Sequence, residues 1–149
     1  MTTRTAVPGD EHVLAAMLVA FNREFETYVP PSHVLERRFA NLLSRADVLV
    51  LLALDPEPVG FALVTSRPSP YYDGPIYALD ELYIVPERRG RGLGTKLIEH
   101  LVHDAQARNI GEIQINGDEG DVDPRRFYER HGFINSQDGE RMLCYLREL

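Results

Sequence analysis

The sequence predicts an α/β or α+β fold around one mixed sheet. Three observations carry that class. Short apolar runs of strand length recur along the chain. Stretches with apolar residues at helical spacing precede and interleave with them. Glycine, proline and acidic clusters separate the two kinds. With 149 residues, the chain suits a single domain with one core, and no repeat, low-complexity segment or boundary divides it.

"RTAV" at Arg4–Val7 reads as a first strand. "DEHVLAAMLVAFNREFE" follows as a helix with Asp10 at its N-cap. Pro30 and Pro31 end anything helical, and Ser32 is placed to cap a second helix, "HVLERRFANLLSR", with Glu36 near the capping-box position. "DVLVLLAL" (Asp47–Leu54) is continuously apolar, hence a buried strand. "DPEP" turns the chain into "VGFALVTS" (Val59–Ser66), so the pair forms a hairpin. The loop "RPSPYYDGP" leads to the central strand, "IYALDELYIV" (Ile76–Val85). A glycine stretch opens a helix from about Gly92 to Arg108, and "GEIQIN" is the next strand. After the acidic loop "GDEGDVD", "PRRFYERHG" is a short helix with Pro124 in its first turn and Gly132 at its C-cap. "RMLCYLREL" reads as a final strand, burying Cys144.

Composition narrows the function classes. Hydrophobic residues make up 44% and charged residues 26%, ordinary for a soluble domain. No apolar run is long enough to span a bilayer, and the N-terminus lacks a secretory pattern, so a cytoplasmic protein without a membrane partner is expected. A single cysteine excludes an internal disulfide and a cysteine-based zinc site. His100 and His103 stand three apart on one helix with no third ligand in view, so no metal is expected. The net charge of −7 and the lack of a basic stripe argue against nucleic acid.

"PERRGRGLGTKLIEH" (Pro86–His100) sets glycines 90, 92 and 94 where a helix begins. Helix starts present N–H groups without intrahelical partners and a positive dipole end, so this is an anion site. It is not a P-loop, because Thr95 and Lys96 stand in the wrong order. It is not a dinucleotide fingerprint either, because the third glycine would fall at Thr95. It fits [Q/R]-x-x-G-x-[G/A], as Arg89-Gly90-Arg91-Gly92-Leu93-Gly94. Together with "RRFYERHGF" downstream, this stretch resembles the GNAT superfamily of acetyl-CoA-dependent N-acetyltransferases. The likeness covers most of the C-terminal half, and the helix–helix–hairpin order before it suits the same fold.

The resemblance implies one N-acetyltransferase domain over residues 1–149. Its sheet would be mixed, mostly antiparallel and flanked by helices, with a splayed strand pair holding acetyl-CoA. The N–H groups from Gly90 through Gly92, Leu93 and Gly94 to Thr95 would cradle the pyrophosphate, with Arg89 and Arg91 flanking it. Arg88 is read as solvated surface charge. The main chain of a bulged strand at Leu82, Tyr83 and Ile84 would hold the pantetheine arm. A primary amine is mostly protonated at neutral pH, with a pKa of ~10.4. Its proton needs an acceptor, and Asp80 and Glu81 precede the slot. On a strand neighbours face opposite ways, so one of the two is expected to reach the acetyl group. By similarity to polyamine acetyltransferases, Asp80 is the base, working through water, and Glu81 the substrate anchor. Tyr128 matches the family's general acid for the departing thiolate. Tyr71, Tyr72 and Asp73 are candidates to border the acceptor. An asparagine that contacts CoA in many members falls here on Asp121.

The expected activity is direct transfer of an acetyl group to a primary amine of a small molecule of the polyamine or aminoglycoside type. The alternatives are a protein or peptide N-acetyltransferase and a non-catalytic acyl-CoA-binding regulatory protein. A homodimer, common in the superfamily, is a further expectation.

Overall fold

The computed structural model describes residues 1–149. They fall into two compact units, Met1–Gln114 and Ile115–Leu149.

The first unit opens with strand β1 (Thr2–Thr5), two residues ahead of the expected "RTAV". Helix α1 (Glu11–Glu24) follows with Asp10 at its N-cap. The Asp10 carboxylate does not cap the helix. It accepts two bonds from the Arg4 guanidinium, at 2.7 and 2.9 Å, and one from the Val7 N–H. Helix α2 (Ser32–Leu43) is capped otherwise than expected. Pro31 occupies the N-cap in extended geometry, and its carbonyl accepts from Val34 and Leu35. Ser32 is thus the first helical residue, and its hydroxyl makes no cap. Strands β2 (Val48–Leu54), β3 (Pro58–Arg67) and β4 (Ile76–Ile84) match the three apolar runs. Helix α3 spans Leu93–Ala107, and strand β5 (Ile113–Ile115) closes the sheet order β1-β2-β3-β4-β5. The β1–β2, β2–β3 and β3–β4 pairs are antiparallel.

Alternation along the strands separates two apolar layers. Val50, Leu52, Phe61 and Tyr83 pack with Leu14, Met17, Leu35 and Phe39 of α1 and α2. Leu51, Ala53, Ala62, Val64, Tyr77 and Leu79 take the opposite face, and all are buried. That face meets α3, whose Leu93, Leu97, Ile98 and Leu101 are buried. The Tyr77 hydroxyl donates to Asp104 of α3 at 2.7 Å. Burial and this carboxylate push the Tyr77 phenol up to about 12.

Gly60 stands opposite Ile84 in the β3–β4 ladder. A Cβ there would lie 2.6 Å from the Tyr83 carbonyl oxygen and run into the Ile84 side chain. Gly60→Ala therefore forces the end of β4 outward, at an expected cost of about 1–3 kcal/mol. A thermal melt with an unchanged midpoint would contradict this.

The second unit carries helix α4 (Val122–Arg130) and a two-residue ladder of β6 (Ser136–Gln137) and β7 (Glu140–Arg141). Gly132, at φ +86°, lies one residue past the C-cap His131. The expected final strand is not formed, since "RMLCYLREL" contributes only Arg141 to β7. The β6–β7 ladder ends there, so the apolar run beyond it finds no strand partner in its own unit. Its side chains face solvent, with Tyr145 89% exposed, and Cys144 is exposed instead of buried.

Candidate active site

The ladder between β3 and β4 contains a β-bulge at the acidic pair. Val64 faces Leu79 and Leu63 faces Glu81, so Asp80 is the extra residue. This overturns the expectation that the two carboxylates point to opposite faces. Leu63 packs on the α1–α2 layer, and its partner Glu81 shares that face. Thr65 lies on the same face, two residues along, and its hydroxyl donates to the Asp80 carboxylate at 2.8 Å. The bulge therefore turns both acids toward the α1–α2 side. Their environments differ. Asp80 is exposed and Glu81 half-buried. Burial first, and the neighbouring Asp80 second, raise Glu81 above the ordinary glutamate range.

Beyond the bulge β4 continues as Leu82, Tyr83 and Ile84. Tyr83 is 3% exposed and packs edge-on to Phe21, ring centroids 5.0 Å apart. Its side chain belongs to the core, so only its main chain is available to a ligand. Leu82 and Ile84, opposite Ala62 and Gly60, face the α3 side. Strand β5 has three residues against nine in β4. The Tyr77 N–H, near the start of β4, donates to the Glu112 carbonyl just before β5. At ~3.3 Å per residue, β5 accompanies only a part of β4.

The end of β4 runs through a short 3₁₀ turn (Pro86–Arg88) into the glycine stretch. Gly90 and Gly92 hold φ of +73° and +82°. A Cβ at either would meet nothing within 4 Å, so glycine is needed here for backbone conformation. Gly92 is the N-cap of α3, and no side chain caps that helix. The ladder starts with the Lys96 N–H donating to the Gly92 carbonyl at 3.0 Å, so the N–H groups of Leu93 and Gly94 lie ahead of it. This arrangement fits an anion of pyrophosphate type.

Three arginines surround the stretch, and each has a carboxylate. Arg89 grips Glu24 at 2.5 and 2.7 Å and donates its Nε to the Ile84 carbonyl at 2.9 Å. Arg88 and Arg91 stand 3.7 and 3.9 Å from Asp55. Glu24 and Asp55 were not singled out by sequence. They are 65 and 36 residues from Arg89 and Arg91, and no local pattern links them.

Tyr71, Tyr72 and Asp73 lie at the other end of β4. The nine residues of β4, roughly 25 Å of strand, stand between them and the 3₁₀ turn that leads to the glycines. Tyr72 and Asp73 line an open cavity of about 530 Å³ with Asp47, Ser66 and Arg67. Tyr72 packs over Gly111, leaving no room for a Cβ there, while Tyr71 is 88% exposed. In the second unit, Tyr128 sits on α4 between Phe127 and Phe133, with ring centroids 5.6 and 5.9 Å away. Asp121 is the N-cap residue of α4. No helix is long and apolar enough to cross a membrane.

Comparison with known proteins identifies the family. The model of the acetyltransferase (GNAT) family matches residues 14–133. Aminoglycoside N(6')-acetyltransferase type 1 of Klebsiella aerogenes is 36% identical over 70 residues, 46% of either chain. Peptidyl-lysine N-acetyltransferase YjaB of Salmonella typhimurium is 30% identical over 99 residues, 66% of this chain and 58% of that one. The match thus spans about half the length of these two relatives. A crystal structure from Arthrobacter sp. FB24, of a protein assigned as an acetyltransferase, superposes with a TM-score of 0.91 at 42% identity. That superposition covers 100% of this chain and 96% of the other.

Proposed function

Because the chain belongs to the acetyltransferase (GNAT) family, we propose that residues 1–149 act as one N-acetyltransferase domain that moves an acetyl group from acetyl-CoA to a primary amine of a small molecule. The observation that carries this reading is the bulge at Asp80, which sets two carboxylates on one face just ahead of an uncapped, glycine-opened helix.

Acetyl-CoA supplies an activated thioester, whose carbon–sulfur bond gives way to a carbon–nitrogen bond. The chain's own residues would do the rest. The N–H groups from Gly90 to Thr95 and the Arg91 guanidinium hold the pyrophosphate, and the β4 main chain at Leu82–Ile84 holds the pantetheine amides. Glu81 receives the proton that the ammonium must lose. Its burial supports giving it this role in place of Asp80, because a raised pKa brings a carboxylate closer to that of the amine. Exposed Asp80 then attracts and orients the cation. Tyr128 keeps a proton on its phenol oxygen for the departing sulfur, a role supported by its place in the F-Y-x-x-x-G-F motif. Tyr72 and Asp73 border the acceptor.

The relative that acts on peptidyl lysine supports a second reading, in which the amine is a protein side chain. The exposed run Met142–Leu146 supports a homodimer, and the cytoplasm is the compartment in which acetyl-CoA would be met. The test is CoA release from acetyl-CoA against polyamines, aminoglycosides, amino acids and lysine peptides. Small amines should drive release. Release driven by peptides alone would replace the first reading with the second. Binding of acetyl-CoA without amine-dependent release would leave a regulatory binding protein.

A further inference from the structure

Glu24 closes α1, where the helix dipole is negative and a carboxylate is locally unfavourable. A tertiary partner offsets that cost. Both carboxylate oxygens of Glu24 accept from Arg89, whose Nε is spent on the Ile84 carbonyl at the end of β4. The same guanidinium lies 5.6 Å from the centre of the Tyr83 ring. The pair lowers Glu24 and raises Arg89 relative to their ordinary ranges, chiefly through this hydrogen bonding. One side chain thus joins three segments, the end of α1, the last residue of β4 and the first residue of the glycine motif. Arg88 and Arg91, by contrast, stand 3.7 and 3.9 Å from Asp55, beyond hydrogen-bonding distance.

We infer that Arg89 is a strut and not a phosphate ligand, and that Glu24 is the positioning residue which, through Arg89, fixes the approach of the glycine loop to the end of β4. The inference rests on the acetyl-CoA reading above. Arg89 has its charge neutralised and its donors directed at Glu24 and Ile84. The cations left for an incoming pyrophosphate are Arg88 and Arg91, and of the two Arg91 lies inside the glycine motif. A lysine could supply the charge at position 89 but not the planar fork that grips a carboxylate and a carbonyl together.

The two roles give opposite signs in one experiment, the binding of CoA to the whole protein by titration calorimetry. If Arg89 is a strut, Glu24→Gln weakens CoA binding about five- to tenfold, the yield of roughly 1–1.4 kcal/mol. Arg89→Gln weakens it by a similar factor, and Arg89→Lys gives no rescue. The Glu24→Gln/Arg89→Gln double variant is then no worse than the weaker single, because both remove one unit. If Arg89 is a phosphate ligand, Glu24→Gln releases a cation and tightens CoA binding, and Arg89→Lys retains most of it. That result overturns the inference. So does unchanged CoA affinity with a lowered melting temperature in the Glu24 and Arg89 variants, since it would leave the pair a role in stability alone. Wild-type protein that binds no CoA overturns the functional reading and this one with it.

Discussion

Glu81→Gln is expected to lower kcat/KM by about 10²–10⁴-fold, the range for a positioned proton acceptor. The sign of the pH effect follows from the site. Glu81 works only when ionised, and both burial and Asp80 favour its neutral form. Activity should therefore fall as pH drops through a value above the ordinary glutamate pKa of ~4.3. Asp80→Asn removes the like charge and should shift that acid limb to lower pH. Stability runs the other way. A carboxyl whose folded pKa is raised contributes stability below its unfolded pKa and loses it as pH rises through the folded one. At neutral pH ionised Glu81 is a cost, so Glu81→Gln should melt no lower than wild type while losing turnover. Full kcat/KM in the Glu81→Gln enzyme would remove Glu81 from the mechanism. If Asp80→Asn instead abolished turnover, the base role would return to Asp80.

Tyr128→Phe should lower kcat by roughly 10²-fold through loss of the proton donor. The phenol is held by its own segment. Gly132 turns the chain at φ +86°, and the Phe133 N–H returns to the Tyr128 carbonyl at 3.1 Å. Phe133 then packs edge-on to the Tyr128 ring. The substitution keeps that packing, so α4 should fold as before. Wild-type kcat in the Tyr128→Phe enzyme would assign Tyr128 to packing alone.

The elements legible in the sequence were those with a strong local pattern. The apolar runs of β2 and β3, the central strand and the glycine-opened helix were found within a residue or two. What escaped depends on partners distant in the chain. The facing of Asp80 and Glu81 is set by the length of β3 opposite them, so strict alternation gave the wrong answer. Arg89 showed its charge in the sequence but not Glu24, which takes that charge up from α1. Ser32 has the chemistry of a cap, yet the extended geometry of Pro31 takes the cap position. The terminal run has the composition of a strand, but a strand exists only where a neighbour meets it.

The surplus residue in β4 acts like a frameshift in a strand. Up to Leu79 the odd-numbered side chains, Tyr77 and Leu79, face α3, and after Asp80 the odd-numbered Glu81 and Tyr83 face α1 and α2. Each half is in phase with β3, and only the count between them changes. A hairpin with ordinary chemistry on both sides of the frame change thereby places two like charges side by side, which a uniform ladder would have put on opposite faces of the sheet. The reactive character of this strand lies in its length as much as in its residues.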